Sequence, residues 1–344
     1  MHVFADKIAS AVRHVVRGPE LALTSIVPGR PGTVVAVRVL DDKSTYNQLE
    51  DAAGRMRTVH AGDVVVGVLG ARDALRGYAG SVPERVGAGD VLHLLNLGGV
   101  VGRCTSHDAA LGGPARVEVL GAVLRAGAPA SIHPGPVACL DVLPALPPLV
   151  LLAGSCMHAG KTAAACALVR GAASAGLRVG AAKLTGVSLR RDALQMEDHG
   201  AAVAYTFADA GLPSTCGVDP TPAARGVLAA VAAAQVDLIV AELGDGLLGD
   251  YGVMRLLEEP ALRAATRAVV LSANDPVAAW GSVALLEPLG LRPAVITGPA
   301  TDHAAGCRAV TLHTGVAAVN ARSDGPQLAA HVLRGLGLAV RGAA

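Results

Sequence analysis

The chain has 344 residues, 52% apolar and 17% charged, with a formal net charge of +1. That length predicts two ordinary domains, each with its own core. Near neutrality gives no electrostatic reason for a nucleic-acid or anionic-membrane partner, and two Phe, one Trp and four Tyr are too few for a base-stacking platform.

The first residues, MHVFADKIASAVRHVVRG, carry too much charge for a secretory leader. Val3, Ile8, Val12 and Val15–Val16 share one helical face, which predicts a short packed helix. Short β-type runs follow at Thr33–Leu40, Asp63–Leu69, Asp90–Asn96, Gly99–Cys104 and Arg116–Leu124, separated by Gly and Pro. With so little helical pattern between them, they predict a β-rich domain over residues 1–130. Val59-His-Ala-Gly-Asp-Val64 recurs as Val86-Gly-Ala-Gly-Asp-Val91. Gly-Asp before an apolar run is turn chemistry, so the repeat predicts two similar turns rather than two binding sites.

Residues 131–148 are Pro-rich and read as a linker. From residue 149 the rhythm is strand, helix, strand. Strands are predicted at Leu149–Ala153, Arg178–Lys183, Val236–Ala241, Ala268–Ser272, Pro293–Thr297 and Ala309–Leu312, and helices at Lys161–Ala175, Thr221–Ala234, Pro276–Leu289 and Pro326–Leu336. Continuous apolar strands alternating with helices specify a doubly wound parallel α/β sheet over 149–344, preceded by the smaller β-rich domain. No apolar run approaches the roughly 18 residues of a membrane span. The six cysteines are dispersed without a C-x-x-C pair, so neither a zinc site nor a disulfide framework is expected and a cytoplasmic setting fits.

Chemistry concentrates after the first of these strands. Gly154-Ser-Cys-Met-His-Ala-Gly-Lys-Thr162 lies between a strand and an Ala-rich helix, the context of a phosphate-binding P-loop. Candidate phosphate contacts are Gly154, Ser155, His158, Ala159, Gly160, Lys161, Thr162 and Ala163. Lys161 suits the β- and γ-phosphates and Thr162 suits Mg²⁺. The loop is one residue longer than the general pattern, which would place its first Gly at Ser155. His158 could touch phosphate or merely fill space. Asp275 reads as a helix N-cap before Pro276, and Ser214 and Thr215 as an ordinary turn.

Five residues between the first Gly and Gly-Lys-Thr resemble the loop of dethiobiotin synthetase and, loosely, of the cobyrinic acid amidases. Both belong to the SIMIBI branch of P-loop proteins. Gly176-Leu-Arg-Val-Gly-Ala-Ala-Lys-Leu-Thr-Gly186 resembles that family's second strand, which implies a site role for Lys183. Arg191-Asp-Ala-Leu194 resembles the segment with a metal-coordinating Asp, and Val236-Asp-Leu-Ile-Val-Ala-Glu-Leu-Gly-Asp-Gly246 the strand whose Glu binds Mg²⁺. The likeness covers residues 148–300. It implies Lys161, Lys183 and Glu242 as catalytic residues, and Thr162, Asp192 and Glu242 as metal ligands, with Asp198 or Asp245 as substitutes for Asp192.

The function implied is an ATP- and Mg²⁺-dependent synthetase that phosphorylates a small carboxylate or carbamate. A homodimer is implied by the same likeness. A nucleotide switch is the second class, but its members with a deviant loop carry a further Lys where this chain has Cys156. The third is an acyltransferase whose P-loop holds coenzyme A, as D-glutamate N-acetyltransferases do.

Overall fold

The structure, a computed structural model, describes residues 1–338, so the last six residues of the predicted 149–344 domain lie outside the described residues. The chain divides into two compact units. The first comprises Met1–Ala138 together with Val187–Arg191 and Phe207–Gly217; the second comprises Cys139–Gly186, Asp192–Thr206 and the chain from Val218 onward.

In the first unit, strands β1 (Val34–Val39), β2 (Val64–Leu69), β3 (Val91–Leu94), β4 (Val100–His107) and β5 (Arg116–Arg125) close on themselves. β1 lies antiparallel between β5 and β2, β2 pairs in parallel with β4, and β3 hydrogen-bonds to both β4 and β5. That last pairing turns the sheet into a barrel and removes its edges. Val35, Val37 and Val39 enter one core cluster, Val34 and Ala36 the other. Burial on both faces explains why β1 is almost wholly apolar rather than alternating.

The Gly-Asp repeat is two copies of one turn. Asp63 Oδ2 accepts from the His60 amide at 2.6 Å, and Asp90 Oδ2 accepts from the Gly87 amide at 2.8 Å. Each turn docks on a strand by the same exchange. The Gly62 amide donates to Val39 O and the Val39 amide to Asp63 O; Gly89, Val119 and Asp90 repeat the pair. Only Asp63 also takes an ammonium, that of Lys7. Burial pushes the Asp63 carboxyl up, but Lys7 and the His60 amide outweigh it and hold it below its ordinary value. A depressed carboxyl stabilises above its unfolded pKa, and that contribution is lost as pH falls through the folded one. Asp63→Asn is therefore expected to cost about 2 kcal/mol at neutral pH, since it strands Lys7. The gap from wild type in urea melts should shrink below about pH 4.

The expected N-terminal helix does not form. His2–Phe4 and Lys7–Ile8 are strands, and only Ser10–Val12 makes a 3₁₀ turn. The segment's backbone donors are taken by β2 instead: the Asp6 amide donates to Val64 O and the Ala9 amide to Val66 O. Sheet pairing outcompetes a helix built on β-branched residues. Ile132, in the Pro-rich stretch, is buried in the first unit's core beside Ala130.

The second unit is built on six parallel strands: β6 (Leu149–Gly154), β7 (Val179–Thr185), β8 (Ala201–Thr206), β9 (Leu238–Leu243), β10 (Thr266–Ser272) and β11 (Val295–Thr297). Their spatial order is β8-β7-β9-β6-β10-β11, so the P-loop strand sits centrally. Val150 and Leu152 of β6 pack with Ala164, Ala165 and Leu168 of helix α1 (Lys161–Ser174) and with Leu328 and Val332 near the C-terminus. Thr221–Ala233 packs on β7, and Pro276–Leu286 on β10. This is the doubly wound α/β fold expected. The predicted strand at Ala309–Leu312 is instead part of a helix, Ala304–Thr314. Its buried residues, Val310 and Thr314, are four apart, a helical spacing that a four-residue apolar run cannot reveal. Among the described residues, no helix is long and apolar enough to cross a membrane.

Candidate functional site

Strand register assembles the site. Leu152 of β6 lies beside Glu242 of β9, and Glu242 lies beside Lys183 of β7. All three strands are parallel, so Lys183, Glu242 and the start of the P-loop reach the same carboxyl-end edge, where open α/β sheets bind ligands.

The loop itself runs from Gly154 to α1. Gly160 caps that helix with φ of 97°, a left-handed conformation that Gly adopts without a Cβ clash. Lys161 then begins the helix and folds back across Gly154, where a Cβ would lie about 3.0 Å from its Cγ and Nζ. Its Nζ donates to Cys156 O at 2.8 Å. Gly154 is thus the residue over which the lysine must pass, although it stands one position early for the general motif. Gly246, after β9, has the Cys156 Cα 2.6 Å from where its Cβ would stand, so that turn lies against the loop.

Burial sets the electrostatics. Lys161 is 5% exposed, Lys183 8%, Asp192 8% and Glu242 3%. Burial pulls the Lys161 ammonium below its ordinary value; Glu242 opposes this and Lys183 adds to it. Burial likewise pushes the Glu242 carboxyl up, against Lys183 and Lys161, while Asp192 pushes the same way as burial and the Thr162 hydroxyl hydrogen-bonds it. Lys183 Nζ pairs with Asp192 Oδ2 and lies 3.8 Å from Glu242 Oε1. Glu242 Oε2 is buried with no hydrogen-bond partner among the described residues, as are Ser155 Oγ and Ser272 Oγ. The register sets Ser272 beside Gly154, and the Ser155 amide donates to Ser272 O.

Lys161, Thr162, Lys183, Asp192 and Glu242 therefore come together. Of the alternatives to Asp192, Asp198 is exposed at the far end of helix α2 (Arg191–Asp198). Asp245 is buried after β9, with φ of 71°, and acts electrostatically on Lys161. His158 is exposed on a left-handed backbone, φ 61°. Ala159 is fully buried, while Thr162 and Ala163 are half-buried in the first turn of α1. Asp275 is the N-cap expected, accepting from the Ala278 amide at 2.8 Å. Ser214 Oγ accepts from the Cys216 amide, an ordinary side-chain turn. Asn274 carries an unforeseen contact, its Nδ2 donating to Cys156 Sγ at 2.8 Å.

A buried carboxylate oxygen without a donor, next to a hydroxyl, fits a hard divalent cation. Among the described residues no three His, Cys, Asp or Glu side chains form a metal cage. Mg²⁺ does not need one, because it binds through one or two carboxylates plus phosphates and water.

No protein-family model matches the chain, and no curated protein matches it. Solved structures do. The signal recognition particle 54 kDa protein of Aeropyrum pernix K1, in complex with GDP, has TM-score 0.39 and 21% identity, covering 57% of this chain and 48% of that one. FtsY of Thermotoga maritima has TM-score 0.38 and 18% identity, covering 56% and 71%. A DUF1611-family protein of Anabaena variabilis has TM-score 0.37 and 16% identity, covering 59% and 64%. The chain spans about half the length of the first. These are distant likenesses, and the fold stands on the sheet order and the loop described above.

Proposed function

We propose that the second unit binds a nucleoside triphosphate, ATP on the sequence resemblance, at Gly154–Thr162 and phosphorylates a small-molecule carboxylate or carbamate for attack by an amine. The observation that carries the reading is the convergence of two buried lysines on Glu242, whose second oxygen has no donor among the described residues. Lys161 neutralises phosphate charge from the loop side, and Lys183 does so from β7. The loop amides and the start of α1 orient the phosphates. Thr162, Glu242 and Asp192 would hold Mg²⁺, which supplies charge neutralisation on the phosphate oxygens. Binding a hydrolysable nucleotide does not require the second buried lysine; an acceptor acid does give it a task. Cys156, in place of a further lysine, disfavours the switch class.

A homodimer belongs to the same reading. Helix Pro276–Leu286 has no charged residue, yet Val277 and Trp280 are 76% and 57% exposed, an apolar face suited to self-association.

The test is phosphate release from ATP with Mg²⁺, measured with and without a panel of small carboxylic and carbamic acids. Release that depends on one acid is expected. Steady hydrolysis without any acid, or tight coenzyme A binding without ATP binding, would overturn the proposal.

A further inference from the structure

Within the first unit, Glu50 is fully buried at the end of the short strand Gln48–Glu50. Its Oε2 accepts from the Arg190 amide at 2.6 Å and its Oε1 from the Arg191 amide at 2.7 Å. Those amides open α2, and the first amides of a helix have no partner inside it. Glu50 supplies one to two of them from a place distant in sequence. The same loop is held at three more points. Arg190 Nη1 donates to Ala52 O at 2.8 Å, Asn96 Nδ2 to Ser188 O at 2.7 Å, and the Ser188 amide to Pro213 O at 3.0 Å.

This anchored loop lies between two site residues. Lys183 precedes it, two residues before the end of β7, and Asp192 is the next residue after the Arg191 amide that Glu50 holds. The Lys183–Asp192 pair is thus the closure of a loop whose far side is pinned by a buried carboxylate. We propose that Glu50 is a positioning residue: by fixing the first amides of α2 it sets where the Asp192 carboxylate stands, and through it Lys183. This rests on the reading of Asp192 and Glu242 as metal ligands.

The probe is Mn²⁺, followed by electron paramagnetic resonance on full-length protein with and without ATP, alongside amide hydrogen exchange. Glu50→Gln keeps the shape but replaces one acceptor by a donor facing an N–H. It is expected to weaken Mn²⁺ binding by the ATP complex about tenfold, the loss usual when a supporting partner of a ligand is removed. Metal-free ATP affinity should stay within about twofold, and exchange at Arg190 and Arg191 should accelerate. Glu50→Asp retains both acceptors and should recover part of the Mn²⁺ affinity, which a loss of folding would not. Unchanged Mn²⁺ affinity in Glu50→Gln, with Asp192→Asn strongly weakened, would overturn the positioning role alone. Unchanged affinity in both would overturn the ligand assignment of Asp192 and the positioning role with it.

Discussion

Lys161→Ala is expected to weaken ATP binding by at least about 30-fold while leaving the protein folded. The ammonium is 5% exposed and its hydrogen bond is to the loop's own Cys156 carbonyl, so it lies where the loop would deliver it to phosphate. Removing one partner of a buried charge pair costs roughly 2–5 kcal/mol. At 1.4 kcal/mol per decade that is about 30-fold to several thousand-fold in affinity. Stability should change little, because burial already disfavours this charge and Lys183 repels it, offsetting what Glu242 gives back. Isothermal titration with ATP and a thermal melt of the same sample separate the two effects. ATP affinity within a few-fold of wild type in a folded Lys161→Ala protein would sink the assignment of the site.

How much of this is legible in the sequence depends on the separation of the residues along the chain. Gly160, Lys161 and Thr162 are neighbours, so a strand before them and a helix after were enough to place them. Lys183 and Glu242 lie on separate strands, and their meeting depends on register that only the assembled sheet defines. Resemblance pointed to each residue, but not to the 3.8 Å between them or to the Glu242 oxygen that has no donor among the described residues. Asp192, Asp198 and Asp245 were indistinguishable by spacing. A helix start buries the first, a helix end exposes the second, and a left-handed turn brings the third towards Lys161.

In the β-rich unit the strands were readable but their closure was not, because β3 pairs with two strands at once and periodicity carries no pairing information. The Gly-Asp repeat was readable as turn chemistry since its hydrogen bonds are local. Amphipathic spacing at the N-terminus misled for the opposite reason: β2 offered those amides non-local acceptors. Glu50 had no signal at all. Its partners are the amides of Arg190 and Arg191, and backbone partners leave no residue-type trace in a sequence.

Glu242→Gln should separate binding from chemistry. The substitution preserves volume and lets the side chain still meet the Thr162 hydroxyl, but it removes the charge that faces Lys183 and Lys161. Metal-free ATP binding rests on the loop amides and Lys161, so it should persist and even tighten slightly, because Lys161 loses one of the carboxylates that balance it while Lys183 keeps Asp192. Mg²⁺-dependent phosphoryl transfer should fall about 10³-fold, equivalent to about 4 kcal/mol of barrier. Adding Mg²⁺ should restore little of it, since the neutral amide is a poor ligand for a hard cation. Asp245→Asn offers the contrast: its charge acts on Lys161, so it should alter ATP affinity more than turnover. Glu242→Gln protein that turns over within tenfold of wild type would show that the buried carboxylate at the end of β9 is structural, and that Mg²⁺, if used, is held elsewhere.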